Sequence, residues 1–289
     1  MKIRLQPFTE SLANRLASSD DSVALYWLGQ AGFAVTGHNL CFLIDPYLSD
    51  YLARKYEGRE PPHHRMMQSP LDTRQLRHLD FIFCTHRHGD HMDPETLPIL
   101  TKRHPSCRVI VPAAEIEYAE SLGLHPAKLF AADAGKPFTL TPGLHVFPIA
   151  AAHERVKLNA NGSHHFLGYV IRFGKSVIYH SGDTVPYKGL QQELERQQIQ
   201  LALLPVNGRD ELRQSKGIPG NFTLEEAVRL CRDVGIPVMI AHHFGMFSFN
   251  TVNHELIDQA AKTAAPGLRL LRAQTGIAYV LGENGTIKY

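Results

Sequence analysis

Phe81-Ile82-Phe83-Cys84-Thr85-His86-Arg87-His88-Gly89-Asp90-His91 carries an apolar run straight into three imidazoles and a carboxylate within six positions. The run Phe81 to Cys84, entered from Leu79-Asp80, reads as a buried strand. Downstream, Asp93-Pro94-Glu95 supplies an N-cap, an N1 proline and a first-turn acid for a helix over 94–103. The histidines therefore sit on the loop between a strand end and a helix start. Imidazole nitrogens and carboxylate oxygens suit a borderline divalent cation, and a loop that folds back can aim His86 and His88 one way and Asp90 and His91 another. The pattern predicts two adjacent metals. A lone histidine would read as a solvated turn or a satisfied core ring, but a His-x-His-x-Asp-His string after a strand is a far more specific signal.

Outward from this loop, the chain is long enough, at 289 residues and 44% hydrophobic, to bury one large core, so a single domain over 1–289 is expected. Its 30 basic and 28 acidic side chains leave a formal charge of +2, too weak a field to favour nucleic acid or an anionic membrane. The expected partner is a small molecule. Cys41, Cys84, Cys107 and Cys231 are scattered without a Cys-x-x-Cys pair and read as buried thiols in a reducing cytosol. Residues 1–20 lack the continuous apolar stretch of a secretion signal, and no run is long enough to span a bilayer, so a cytoplasmic protein with no membrane partner is expected.

Residues 23–28, 32–36 and 40–45 look like successive strands separated by the Gly29 and Gly37 turn signals. Residues 50–78 are polar and without a clear period, and read as an excursion over the surface whose role, near the site or away from it, the sequence leaves open. Strands at 81–84, 108–111 and 144–149 then alternate with helical patterns at 94–103 and 113–122. Gly174-Lys175 links strands 168–173 and 176–180 as a type II′ hairpin, and Thr223-Leu-Glu-Glu226 is a capping box opening a helix to about Val234. Apolar strands follow at 201–205 and 238–241, and a hairpin around Asn284-Gly285 joins 278–281 to 286–289. The pattern is α/β, with strands followed twice by strand-helix alternation, which suggests two mixed sheets face to face with helices outside.

Further ligand candidates lie where other strands end: His153 after 146–152, Asp183 after 178–182, and His242-His243 after 239–241. Each arrives from a different strand, as a rigid site requires. The metal loop, together with Gly182-Asp183-Thr184 and Phe42-Leu43-Ile44-Asp45-Pro46, resembles the metallo-β-lactamase superfamily. That resemblance covers nearly the whole chain and implies an αββα sandwich. It also implies that His86, His88 and His153 hold one metal, that Asp90, His91 and His243 hold the second, and that Asp183 bridges them. Adjacent strand-end residues point opposite ways, so only one of His242 and His243 faces the metals. The string His243-Phe244-Gly245-Met246-Phe247 resembles the His-Trp-Gly-x-Phe string of the N-acyl-phosphatidylethanolamine phospholipase D branch, which favours His243. Asp45 is either an acceptor for a ligand imidazole or a turn residue before proline. His164, His165 and His180 either contact substrate or order ligands, or are surface or core-satisfied rings, the reading favoured for each.

Two divalent ions about 3.5–4 Å apart make a hydroxide nucleophile available at neutral pH, so hydrolysis is the expected chemistry. Asp90 and Asp183 are the acidic groups at the reaction, with Asp90 able to shuttle the proton. Within the superfamily the chain looks most like the L-ascorbate-6-phosphate lactonase group, through Gly182-Asp183-Thr184, 204–210, 217–223 and 243–247. That likeness implies a sugar-acid lactone phosphate as substrate and suggests a homo-oligomer. Asn207, Arg209 and Asn221 are the candidate substrate contacts, with Lys188 and Arg155 serving equally. The alternatives are a phosphodiesterase of the same superfamily and a metal-binding scaffold without turnover. Zinc, manganese and iron all suit the ligand set.

Overall fold

The computed structural model describes residues 2–18, 21–264 and 266–282. One sheet contains β1 (Lys2–Pro7), β2 (Ala24–Gly29), β3 (Gly32–Gly37), β4 (Leu40–Ile44), β5 (Phe81–Phe83), β6 (Arg108–Pro112), β7 (Leu129–Ala132) and β15 (Ile277–Gly282). The other contains β8 (Phe138–Thr141), β9 (Leu144–Ala150), β10 (Leu167–Phe173), β11 (Ser176–His180), β12 (Leu201–Pro205), β13 (Val238–His242) and β14 (Arg269–Arg272), lying side by side in chain order. In the first sheet β15 lies between β1 and β2, antiparallel to both.

Alternation along the strands decides the layering. Leu25, Trp27, Phe33, Val35, Phe42, Ile44 and Phe83 join one buried cluster, while Ala24, Tyr26, Leu28, Ala34, Cys41, Leu43 and Ile82 join another. Successive side chains of a strand point to opposite faces, so this sheet is buried on both. The first cluster meets the second sheet: Phe42 lies 5.4 Å from Phe173 and Phe83 5.4 Å from Tyr169, ring centre to ring centre. The second cluster is covered by α1 (Leu12–Ala17), α3 (Thr96–Arg103) and α4 (Ile116–Ser121) through Leu12, Leu16, Leu97, Leu100 and Ala119. On the far face of the second sheet, α5 (Leu190–Glu195), α7 (Leu224–Val234) and α8 (His254–Lys262) bury Leu190, Leu194, Ala227, Cys231 and Ile257. The result is an αββα sandwich, the architecture that two apolar sheet faces and two sets of amphipathic helices require.

Most expected elements lie within a residue or two of the observed ones. The helix expected from 94 begins at Thr96, because the Asp93 carboxylate accepts from Glu95 N (3.0 Å) and from the Ser49 backbone and hydroxyl (3.1 and 2.8 Å), pinning the preceding loop. The region 113–122 is a 3₁₀ turn followed by α4. Thr223 and Glu226 form the capping box, and Gly174 has the φ of 57° that a type II′ turn needs at its first position. Of the hairpin placed around Asn284-Gly285, the strand expected at 278–281 is β15, and the turn with the strand at 286–289 lies outside the described residues. β1, β7, β8 and β14 were not anticipated; all four are edge or near-edge strands with mixed exposure. All four cysteines are buried and free, and burial pushes Cys41, Cys107 and Cys231 up to about 12. Among the described residues no helix is long and apolar enough to cross a membrane.

Asp133, which follows β7, ties the two layers together by accepting from the His164 backbone (3.0 Å) and ring (2.8 Å) in the loop between β9 and β10. Burial pushes its carboxyl up, but the His164 N–H, the His164 ring and Lys136 outweigh it and hold the group at about 2, below the ordinary 3.8. A carboxyl held below its unfolded value stabilises the fold above that value, and the contribution fades as pH falls from about 4 towards 2. Asp133→Asn is expected to cost about 1–2 kcal/mol at pH 7 and progressively less towards pH 2, as read from urea unfolding at both ends of that range.

Candidate metal centre

The groups gathered at the mouth of the sandwich follow the carboxyl ends of β5, β9, β11 and β13, where strands in open α/β sheets present their sites. Two sharp turns aim them. After β11 the chain reverses at Gly182 (φ 60°), where an added Cβ would lie 2.5 Å from the Leu167 carbonyl oxygen. His180 fixes this turn: its Nε2 donates to Ala31 O (2.8 Å) and its Nδ1 accepts from Gly182 N (3.1 Å), so the ring is neutral with one tautomer. After β13, His243 takes a left-handed φ of 63° and donates its backbone N–H to Gln30 O (2.9 Å). Of the adjacent pair, His243 enters the cluster. His242 is turned into the core, stacked 5.2 Å from His180 and edge-on to Phe33.

His86, His88 and His153 form one triad and Asp90, His91 and His243 another, the ligating atoms of each lying within 4.8 Å of one another. Asp183 stands between them, with Oδ2 at 3.3 Å from His91 Nε2, 3.2 Å from His243 Nε2 and 3.8 Å from His153 Nε2. The second atoms of these groups are held by the protein. His91 Nδ1 donates to Asp45 Oδ2 (2.7 Å) and His153 Nδ1 to Gly220 O (3.2 Å), which leaves Nε2 of both rings free to ligate. Asp45 also accepts from Thr85 N (2.8 Å) and Thr85 Oγ1 (2.7 Å) while adopting φ 45°, so it is at once an acceptor for a ligand imidazole and a turn residue. Gln30 donates to Asp90 Oδ2 at 2.8 Å and was not anticipated; its signal in the sequence is only the Gly29-Gln30-Ala31-Gly32 turn.

These residues fit a pair of divalent cations. Asp183 Oδ1 and His91 Nε2 are buried without a hydrogen-bond partner, and a buried polar atom in that state costs free energy that a cation would recover. His86 Nε2 and His88 Nδ1 lie 2.9 Å apart, an approach two ring nitrogens make comfortably only with a proton or a metal between them. Burial pushes His153 down to about 3, so its ring is a neutral donor across the physiological range. Burial also opposes ionisation of Asp183, but His243 and His91 hold its carboxyl well below the usual range. Imidazoles and carboxylates in this number suit zinc, manganese or iron.

The cluster opens into a cavity of about 480 Å³ whose wall includes His88, Asp90, His153, Asp183 and His243. Lys55, Arg87 and Lys216, the last just after α6 (Glu211–Ser215), bring three positive charges to its lining against the carboxylate of Glu60 outside the cluster; Tyr56, His63, Tyr118, Phe247 and Phe249 bring aromatic surface. The 50–78 excursion thus forms one wall, through α2 (Tyr51–Lys55) and the loop after it. Asn207, Arg209 and Asn221, expected to contact substrate, do not line the cavity, and neither do Lys188 and Arg155. Arg209 instead pairs with both oxygens of Glu226 (2.6 and 2.7 Å), Asn221 donates to Asn207 Oδ1 (3.1 Å), and Asn207 donates to Asn250 Oδ1 (2.8 Å). Their polar groups brace the wall from behind. Asn250, at the end of that chain of contacts, reaches the lining.

A family model described as a beta-lactamase superfamily domain matches residues 41–244, which include every residue of both triads and Asp183. The chain belongs to the beta-lactamase superfamily. A UPF0173 metal-dependent hydrolase of Caldivirga maquilingensis is 30% identical over 184 residues, 64% of this chain and 70% of that protein. The mitochondrial N-acyl-phosphatidylethanolamine-hydrolyzing phospholipase D of Saccharomyces cerevisiae is 25% identical over 229 residues, 76% of this chain but 47% of that one. Among solved structures, an isothiocyanate hydrolase from Delia radicum gut bacteria superposes with a TM-score of 0.71 at 18% identity, covering 88% of this chain and 97% of its own. This member of the beta-lactamase superfamily is a metal-dependent hydrolase.

Proposed function

We propose that this hydrolase is a lactonase acting on a sugar-acid lactone that carries a phosphate, with two divalent ions, zinc, manganese or iron, held by His86, His88 and His153 and by Asp90, His91 and His243, and with Asp183 between them. The observation that carries the reading is one cavity that reaches His88 and His153 of the first triad, Asp90 and His243 of the second, and Asp183, and that also takes in Lys55, Arg87 and Lys216. Bound there, two such ions would activate water at neutral pH and polarise the ester carbonyl. The side chains supply the rest. Asp90 lies at the cavity wall with Gln30 holding one oxygen, so it is placed to take the proton released as water adds to the carbonyl and to return it to the departing ring oxygen. The three lining cations suit the phosphate, a role that Asn207, Arg209 and Asn221 fill only indirectly by bracing Asn250. The same lining also suits a phosphodiester, and the likeness to a phospholipase D that cleaves a phosphatidylethanolamine derivative supports that second reading.

Purified protein loaded with zinc or manganese is expected to release acid from a lactone panel faster than it cleaves bis-p-nitrophenyl phosphate. A chelator is expected to abolish turnover, and added metal to restore it. The reverse preference would favour the phosphodiesterase, and activity on neither substrate class would favour the scaffold.

A further inference from the structure

His63 is held more firmly than a loop histidine needs to be. Its ring stacks on Tyr56 with centroids 4.0 Å apart and planes 16° from parallel, and it meets Phe249 at 4.6 Å and Phe247 at 5.4 Å edge-on. Its Nδ1 lies 2.8 Å from the Pro61 carbonyl oxygen, which can only accept, so Nδ1 carries the hydrogen and Nε2 carries a lone pair. Nε2 has no partner among the described residues, while His63 lines the same cavity as Asp90, Asp183 and His243. Burial pushes the imidazole down, Lys55 beside it acts in the same sense, and the Pro61 carbonyl and Asp90 act against them, with the net shift downward.

We propose that His63 is a substrate-recognition residue whose Nε2 accepts a hydrogen bond from a hydroxyl of the substrate, so that hydroxylated, sugar-like esters are preferred over hydrocarbon ones of the same ring size. The inference rests on the lactonase reading above and narrows its substrate class. The physical basis is preorganisation: Tyr56, Phe247 and Phe249 fix the ring, so accepting the bond costs little further conformational freedom. An acceptor held in a partly desolvated wall also discriminates against an analogue that leaves it unpaired. Lys55, Arg87 and Lys216 are donors only and act on charge, so His63 Nε2 supplies an acceptor that they cannot.

Metal-loaded wild type, His63→Phe and His63→Gln are compared on D-glucono-1,5-lactone, which bears ring hydroxyls, and δ-valerolactone, which has none. His63→Phe keeps an aromatic ring without the acceptor, and His63→Gln restores an acceptor oxygen near the Nε2 position. In His63→Phe, KM for gluconolactone is expected to rise about tenfold with kcat little changed and valerolactone kinetics unaltered, and His63→Gln is expected to recover most of the loss. Equal losses on both lactones, or no preference for gluconolactone in the wild type, would overturn the role of His63 and leave the lactonase reading standing. Failure of the metal-loaded wild type to hydrolyse either lactone would overturn that reading and this inference with it.

Discussion

Asp183→Ala is expected to lower kcat/KM by about 10³-fold and to cut the metal retained through gel filtration, while the sandwich itself stays folded. The carboxylate stands between the two triads, within 3.8 Å of Nε2 atoms on His91, His153 and His243, so its removal leaves three buried imidazoles without their shared anion. Breaking a buried charge pair by deleting one partner typically costs about 3–5 kcal/mol, and a loss of about 10³-fold in rate corresponds to an energy within that range. Asp183→Asn separates the two contributions, because it keeps the shape and one oxygen but loses the charge. Elemental analysis beside steady-state kinetics checks both variants. Wild-type turnover in Asp183→Ala would remove Asp183 from the centre altogether.

Gly182→Ala is expected to act on the same carboxylate from one residue away. An alanine Cβ would lie 2.5 Å from the Leu167 carbonyl oxygen and 2.9 Å from Thr85 Cβ, at a φ of 60° that L side chains disfavour. Neither neighbour yields easily, since the Leu167 backbone N–H donates to Thr85 O at 3.0 Å and the Thr85 hydroxyl is held by Asp45. Overpacking and the left-handed backbone together are expected to cost about 2–4 kcal/mol, and displacement of Asp183 is expected to lower metal content as well. Urea unfolding of the chelated protein isolates the first effect, and metal analysis of the loaded protein reports the second. A change below about 0.5 kcal/mol with full metal content would show that the turn tolerates a side chain.

The metal loop was legible because its chemistry and its context occupy contiguous residues: an apolar strand, the His-x-His-x-Asp-His string and a helix close behind it, although that helix is capped at Glu95 and not at Asp93. His153, Asp183 and His243 were legible as strand-end residues, the last through its resemblance motif as well. The cavity wall was not. Arg209 and Asn221 sit in a glycine-rich stretch of the kind that lines sites, but a sequence does not show that Glu226, three residues into a capping box, also takes the guanidinium. Lys55, His63 and Lys216 escaped for the opposite reason. They lie on aperiodic loops and short helices whose path depends on tertiary contacts such as Met66 N to Met246 O, and nothing local marks the direction they face. Gln30 is a single amide on a tight turn, visible as important only once Asp90 and His243 are known to lie against it.

The position of β15 has a consequence for synthesis on the ribosome. Its pairing with β1 joins Lys2 to Gly282, and its other edge meets β2, so the first sheet remains split until residue 282 has emerged from the exit tunnel. β2 to β7, the whole second sheet and every residue of both triads come earlier in the chain. A nascent chain can therefore gather both triads while β1 still has no neighbour, and in that interval the exposed edges of β1 and β2 are open to pairing with another polypeptide.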